Sequence, residues 1–155
     1  MIGGERPGLK PCGFTMIELL IVGAIILTLA AIAIPNLLAA INQARVAKAI
    51  GDIHAIGTDI QAYNLSNNQF PNTLADINDA INDPWGNPYE YLNFANTNGK
   101  GKMRKDRFLV PINSYFDLYS IGADGQSVPP LTPKVSQDDV IWANDGDYVG
   151  LASNF

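Results

Sequence analysis

The sequence predicts an α+β fold: one long N-terminal α-helix whose second half packs on a small antiparallel β-sheet, with an ordered C-terminal loop. Three observations carry this. Residues 14–34 form an apolar run of 21 residues with a single charge, Glu18. No loop signal separates that run from an amphipathic stretch reaching about Leu65. Beyond Asp83, short segments rich in aromatic and β-branched residues alternate with Gly, Pro, Asn and Asp, the pattern of strands and turns.

The helix comes first in chain order. About 20 apolar residues suffice to cross a bilayer core as a helix, so 14–34 is long enough. A carboxylate is expensive there, roughly 2.5–3.5 kcal/mol at a helix centre on insertion scales. Glu18 is therefore a functional residue by default. Leu38, Ile41, Ala44, Ile50, Ile53, Ile56, Ile60 and Tyr63 follow at mostly three- and four-residue spacing, with one slip between Ala44 and Ile50. Polar residues such as Arg45, Lys48, Asp52 and Asp59 fill the other faces, as on a helix laid against a core. One helix over about 15–65 would be ~75 Å long at ~1.5 Å per residue. Pro35 removes a backbone donor and crowds the preceding turn, so a kink or melted turn is expected. Gly23, Gly51 and Gly57 weaken the helix or permit close packing.

Residues 64–69 end the helix, and 73–81 read as a short helical piece with Asn72 as N-cap. Asp83-Pro84-Trp85-Gly86-Asn87-Pro88-Tyr89 is a rigid turn that buries Trp85 against the helix. Residues 89–94, 108–112 and 116–121 read as strands, and 140–142 as a short fourth. A glycine-containing polar loop covers 96–104. Residues 122–136 are loop, stiffened by Pro129, Pro130 and Pro133. The tail carries Asn144-Asp145-Gly146-Asp147.

The chain has 155 residues, and 35–155 is enough for one small globular domain with its own core. Its only cysteine is Cys12, so the domain carries no disulfide. The formal net charge is −5, and losing residues 1–13, with Glu5, Arg6 and Lys10, makes it more acidic still. That balance argues against general nucleic-acid binding. Arg6 and Lys10 before the apolar run favour an orientation with the N-terminus inside and the domain outside, a bias softened by Glu5, Arg45 and Lys48.

A secretory signal is cut after its apolar region, which is then lost. Ala30, Ala31 and Ala33 imitate such a site, but that cut leaves Glu18 unexplained. A cut between Gly13 and Phe14 keeps the run. On Lys10-Pro11-Cys12-Gly13 followed by Phe14-Thr15-Met16-Ile17-Glu18, the N-terminus resembles the class III signal of type IV pilins and type II secretion pseudopilins. The resemblance implies that 1–13 is a leader, that a prepilin peptidase cuts after Gly13, and that the new N-terminal Phe14 is methylated. It implies that 14–34 is both membrane span and filament core. Glu18 is then the assembly residue, its carboxylate meeting the α-amine of a neighbour's Phe14 and selecting one stagger between subunits. Pro35 matches the family's helix-loosening proline. The plain alternative for Glu18 is an acid snorkelling at the membrane interface.

Asp83-Pro84-Trp85-Gly86-Asn87-Pro88-Tyr89 and Phe116-Asp117-Leu118-Tyr119-Ser120-Ile121-Gly122-Ala123-Asp124-Gly125 are more specific. With the N-terminus they resemble the major pseudopilin family of type II secretion systems over most of the chain. That family, lacking the disulfide of many type IV pilins, implies a calcium site in the C-terminal loop. Calcium takes six to eight oxygen ligands. Carried over, they include the Asp124 carboxylate, the backbone carbonyls of Ile121 and Gln126, and Asp138 and Asp139, which match paired aspartates before the final strand. The stretch between Asp124 and Asp138 is longer than the family pattern and rich in proline. Asp145 and Asp147 add carboxylates for a rearranged site. A solvated acidic loop stiffened by prolines needs no metal.

Lys100, Lys102, Arg104, Lys105 and Arg107 read first as a solvated hairpin loop, then as a complement to the acidic tail of a neighbouring subunit, and last as a DNA-binding surface. His54, alone, reads as surface or packing. A mature chain without cysteine nucleophile, serine–histidine motif or phosphate loop is not an enzyme. The expected role is structural. The subunit waits in the inner membrane with its domain in the periplasm, then joins a helical homopolymer with an inner-membrane assembly platform and minor pseudopilins or pilins as partners. A secretion pseudopilus leads. A type IV pilus for adhesion, motility or DNA uptake is the alternative, and a membrane-anchored binding domain that never polymerises is a third class.

Overall fold

The computed structural model describes residues 13–155. Residues 1–12, most of the expected leader, lie outside the described residues. The element order is α1 (Met16–Asn67), β1 (Glu90–Asn93), β2 (Phe116–Ser120), β3 (Val140–Ala143) and β4 (Tyr148–Leu151), with single 3-10 turns between them. The strands form one antiparallel sheet in the order β1-β2-β3-β4. This is the α+β arrangement the sequence predicts.

The chain divides into two compact units, with the boundary between Ala40 and Ile41. In the first unit α1 has no buried residue, and Phe14, Met16, Leu19, Leu20 and Leu29 each show more than half their surface. The helix runs through Pro35 without a break. The melted turn expected there is absent, because one missing N–H leaves the hydrogen bonds on both sides able to hold the helix.

In the second unit α1 buries Ala49, Ile53, Ile56, Gly57 and Ile60. Ala49, four residues before Ile53, and not Ile50, begins the buried face. Leu38, Ile41 and Ala44, read as part of the same face, are exposed. Alternate residues of the sheet point to this face: Phe116 and Leu118 from β2, Val140 and Trp142 from β3, joined by Tyr89 and Leu74. The other phase of the alternation covers the far face, where Ile141, Ala143, Ile112, Leu131 and Ala152 form a second cluster. Trp142 is the central plate. It stacks on Phe116 with centroids 6.0 Å apart. On Gly57 a Cβ would stand only 2.3 Å from Trp142 Cζ3.

Three segments differ from expectation. The piece expected over 73–81 is one 3-10 turn, Leu74–Ile77, with Thr73 rather than Asn72 at its N-cap. Asp76 accepts the N–H groups of Asn72 and Thr73 at 2.9 and 3.0 Å, and Asn78 turns left-handed at φ 60, which ends it. Residues 108–112 are not a strand. Asp106 and Leu109 exchange backbone hydrogen bonds across a tight turn, Arg107 has φ 43, and Pro111 offers no donor. Finally, the acidic tail is a hairpin turn leading into β4, which pairs Ala143 with Tyr148 and Val140 with Leu151. Asn144, Asp145 and Gly146 take positive φ, as such a tight connection requires.

Candidate functional sites

The helix start is the first site. Thr15 and Glu18 form a capping box: Glu18 Oε2 accepts the Thr15 N–H at 2.8 Å and the Thr15 hydroxyl at 2.7 Å, while Thr15 Oγ1 accepts the Glu18 N–H at 3.3 Å. Thr-Met-Ile-Glu spells this pattern in sequence, although the assembly reading of Glu18 obscures it. Gly13 and Phe14 precede the helix and are both exposed, with nothing within 4 Å of a Cβ built on Gly13. The 52-residue helix is long and apolar enough at its N-terminal end to cross a membrane, and none of that apolar window is buried by the rest of the chain.

The loop between β2 and β3 is the second. Its acids divide rather than converge. Asp124 is exposed and accepts the Gln126 N–H at 2.8 Å. Asp138 accepts the N–H groups of Ala123 and Asp124 at 2.9 and 3.1 Å. Asp138 thus caps the turn that carries Ile121, Asp124 and Gln126. Asp139, wholly buried, faces elsewhere, toward the Arg104 guanidinium and the Ser127 hydroxyl, the latter at 2.6 Å. Asp145 and Asp147 belong to the turn at the opposite end of β3, where Asp145 accepts the Ser114 N–H at 2.7 Å. Among the described residues no three His, Cys, Asp or Glu side chains are grouped as metal ligands. A calcium ion held jointly by Asp124, Asp138 and Asp139 does not fit this arrangement, because Asp139 already faces a cation.

Arg104 is the residue that sequence reading misplaces. Grouped with Lys100, Lys102, Lys105 and Arg107 as a solvated basic loop, it is only 2% exposed. Its Nη1 donates to Ser127 Oγ at 2.5 Å and to the Val128 carbonyl at 2.8 Å, its Nη2 pairs with Asp139, and its guanidinium lies 4.2 Å from the Tyr119 ring centroid. Its backbone N–H meets buried Asp117 at 2.6 Å. Burial pushes the Asp139 carboxyl up to about 6, against the opposing pull of Ser127 and Arg104. Burial likewise raises Asp117.

The Asp83 turn is a buried polar node. Asp83 accepts the N–H groups of Trp85 and Asn87 at 3.0 and 2.9 Å and the Ser120 hydroxyl at 2.5 Å, joining the turn to the end of β2. Trp85 is half-buried against the main core. His54 is exposed and meets Trp142 edge-on at 6.3 Å, a packing role.

No family model matches the chain. No solved structure matches it either. Curated relatives do, and they carry one name, type II secretion system core protein G. The protein of Pseudomonas aeruginosa is 36% identical over 124 residues, covering 74% of this chain and 84% of its own. That of Escherichia coli is 31% identical over 127 residues, covering 76% and 85%. That of Aeromonas hydrophila is 28% identical over 140 residues, covering 76% and 87%. The long helix, the antiparallel sheet and most of the sequence thus lead to one place: the chain belongs to the family of type II secretion system core protein G, the major pseudopilins.

Proposed function

We propose that this chain is the repeating subunit of a helical pseudopilus serving a type II secretion system, with no catalytic role of its own. One observation carries the reading: the N-terminal half of α1 presents a continuous apolar surface that its own chain leaves bare. Lipid covers that surface while the subunit waits in the inner membrane, its domain in the periplasm. In the filament the same surface of neighbouring copies covers it. Prepilin peptidase cuts between Gly13 and Phe14 and methylates Phe14; an inner-membrane assembly platform and minor pseudopilins are the further partners.

Glu18 then has two states. In the isolated subunit Thr15 holds its carboxylate. On assembly the carboxylate turns to the α-amine of a neighbour's Phe14, a stronger, charge-assisted partner that exists at one stagger only. The test compares two variants of the full chain. Thr15→Ala loses the cap, about 1 kcal/mol at the helix start, and keeps filament yield. Glu18→Ala still inserts but gives filaments at a small fraction of the wild-type yield. Equal yields from the two variants, by cross-linking and electron microscopy, would reduce Glu18 to a capping residue.

A further inference from the structure

We infer that Arg104 is a built-in cation, and that its guanidinium, rather than a bound divalent ion, holds the β2–β3 loop to the sheet. The site offers what a cation requires: the Asp139 carboxylate, the Ser127 hydroxyl, the Val128 carbonyl and the face of Tyr119. The positive charge among them comes from the chain itself. Arg104 belongs to the segment between β1 and β2, so it ties together parts of the molecule that are distant in sequence.

Its backbone fixes it there. Besides the N–H bond to Asp117, the Arg104 carbonyl accepts the Ile112 N–H at 3.1 Å. Next door the Lys105 N–H meets the Pro129 carbonyl at 3.1 Å, and the Lys105 carbonyl accepts the Leu131 N–H at 2.9 Å. The proline-rich loop is therefore laced to the Arg104 segment through both backbone groups of Lys105.

A calcium ion has no complementary place at Asp139. One Asp139 oxygen is engaged, and the other is buried without a partner, as is Arg104 Nε. A doubly charged ion at that free oxygen would stand against a guanidinium in a poorly screened interior, where like charges repel strongly. Asp138, the neighbouring acid, gives one oxygen, Oδ2, to the Ala123 and Asp124 N–H groups. Arginine also remains protonated at any physiological pH. The loop consequently closes whatever the ion supply outside.

The experiment uses the full chain in detergent micelles, following Trp85 and Trp142 fluorescence on heating in millimolar calcium chloride and in EGTA, with calcium chloride alone titrated calorimetrically. A resident calcium site raises the melting point in calcium by mass action. The expected wild-type difference is below ~1 °C, with no binding heat. Arg104→Gln strands a buried carboxylate and lowers the melting point by roughly 10 °C. The double variant Arg104→Gln, Asp139→Asn removes the stranded charge and regains more than half of that loss. If Arg104→Gln alone does not fold, recovery of folding in the double variant supports the lock, and failure to recover overturns it. A calcium-dependent rise of several degrees in the wild type, or an Arg104→Gln variant as stable as wild type, also overturns it.

Discussion

Gly57 shows how much one missing atom can decide. It lies on the buried face of α1 with the Trp142 ring directly over its α-carbon. Trp142 cannot retreat, since Phe116 stacks on it and Gly146 closes its edge, where a Cβ would stand 2.5 Å from Cζ2. Gly57→Ala gains helix propensity of about 1 kcal/mol, but overpacking a filled core costs about 1–3 kcal/mol. We expect a net loss, seen as a lower melting point and altered near-ultraviolet circular dichroism from a displaced tryptophan. A stabilised variant would mean that the helix and sheet can separate freely. In sequence, Gly57 reads equally as a weak point or a close contact, because its partner lies far along the chain. Arg104 is illegible for the same reason: five basic residues in a glycine loop look alike until the fold selects one to bury. Gly13 is the opposite case, since the role proposed for it rests on adjacent residues, 10–18, and their resemblance to a class III signal. Gly13→Leu should leave an uncut precursor, and mass spectrometry finding the mature N-terminus anywhere but Phe14 would remove the processing assignment.

Secondary-structure elements were legible where their periodicity was long. The helix is read to within two residues at each end, and β2 to within one, because each carries a sustained apolar pattern. β4 was missed. Its four residues include Gly150, and the Asp-Gly step before it drew attention as acids rather than as the turn chemistry it also is. The segment 108–112 erred the other way: Phe108, Leu109, Val110 and Ile112 have strand propensity, but a positive φ at Arg107 and a missing donor at Pro111 deny them a partner. The contact between α1 and the 3-10 turn has a pH signature. The Asp79 carboxyl is half-buried, one oxygen lacks a hydrogen-bond partner, and burial followed by the charge of Asp59 raises its pKa. A raised folded-state pKa means that the protonated form favours folding. Its contribution is fully present below the unfolded value and disappears as pH climbs through the folded one. Asp79→Asn should therefore be more stable than wild type at pH 7, with the difference shrinking toward pH 4. Melting curves that stay parallel across that range would show that its surroundings do not raise the Asp79 carboxyl.

The chain as a whole separates two tasks that most small proteins combine. Among the described residues every buried core residue lies from Ala49 onward, so the apolar burial that holds the fold belongs to the second unit. Among the described residues, the first unit has no buried side chain, and its apolar surface gains stability only from what surrounds it. Shortening the chain to Ile41–Phe155 should therefore remove the need for detergent without removing the fold. The prediction is a monomeric, soluble domain with unchanged near-ultraviolet circular dichroism from Trp85 and Trp142, melting within a few degrees of the full chain. A several-degree margin corresponds to about 1–2 kcal/mol at this size, which allows for fraying of the shortened α1 before Ala49 but not for loss of a core contact. The same domain should fail to enter filaments when expressed beside the full chain, because it lacks both the apolar surface and Glu18. Incorporation at wild-type efficiency would transfer the assembly interface from the helix to the domain. A domain that fails to fold would show that the bare half of α1 has a part in the fold which its exposure does not reveal.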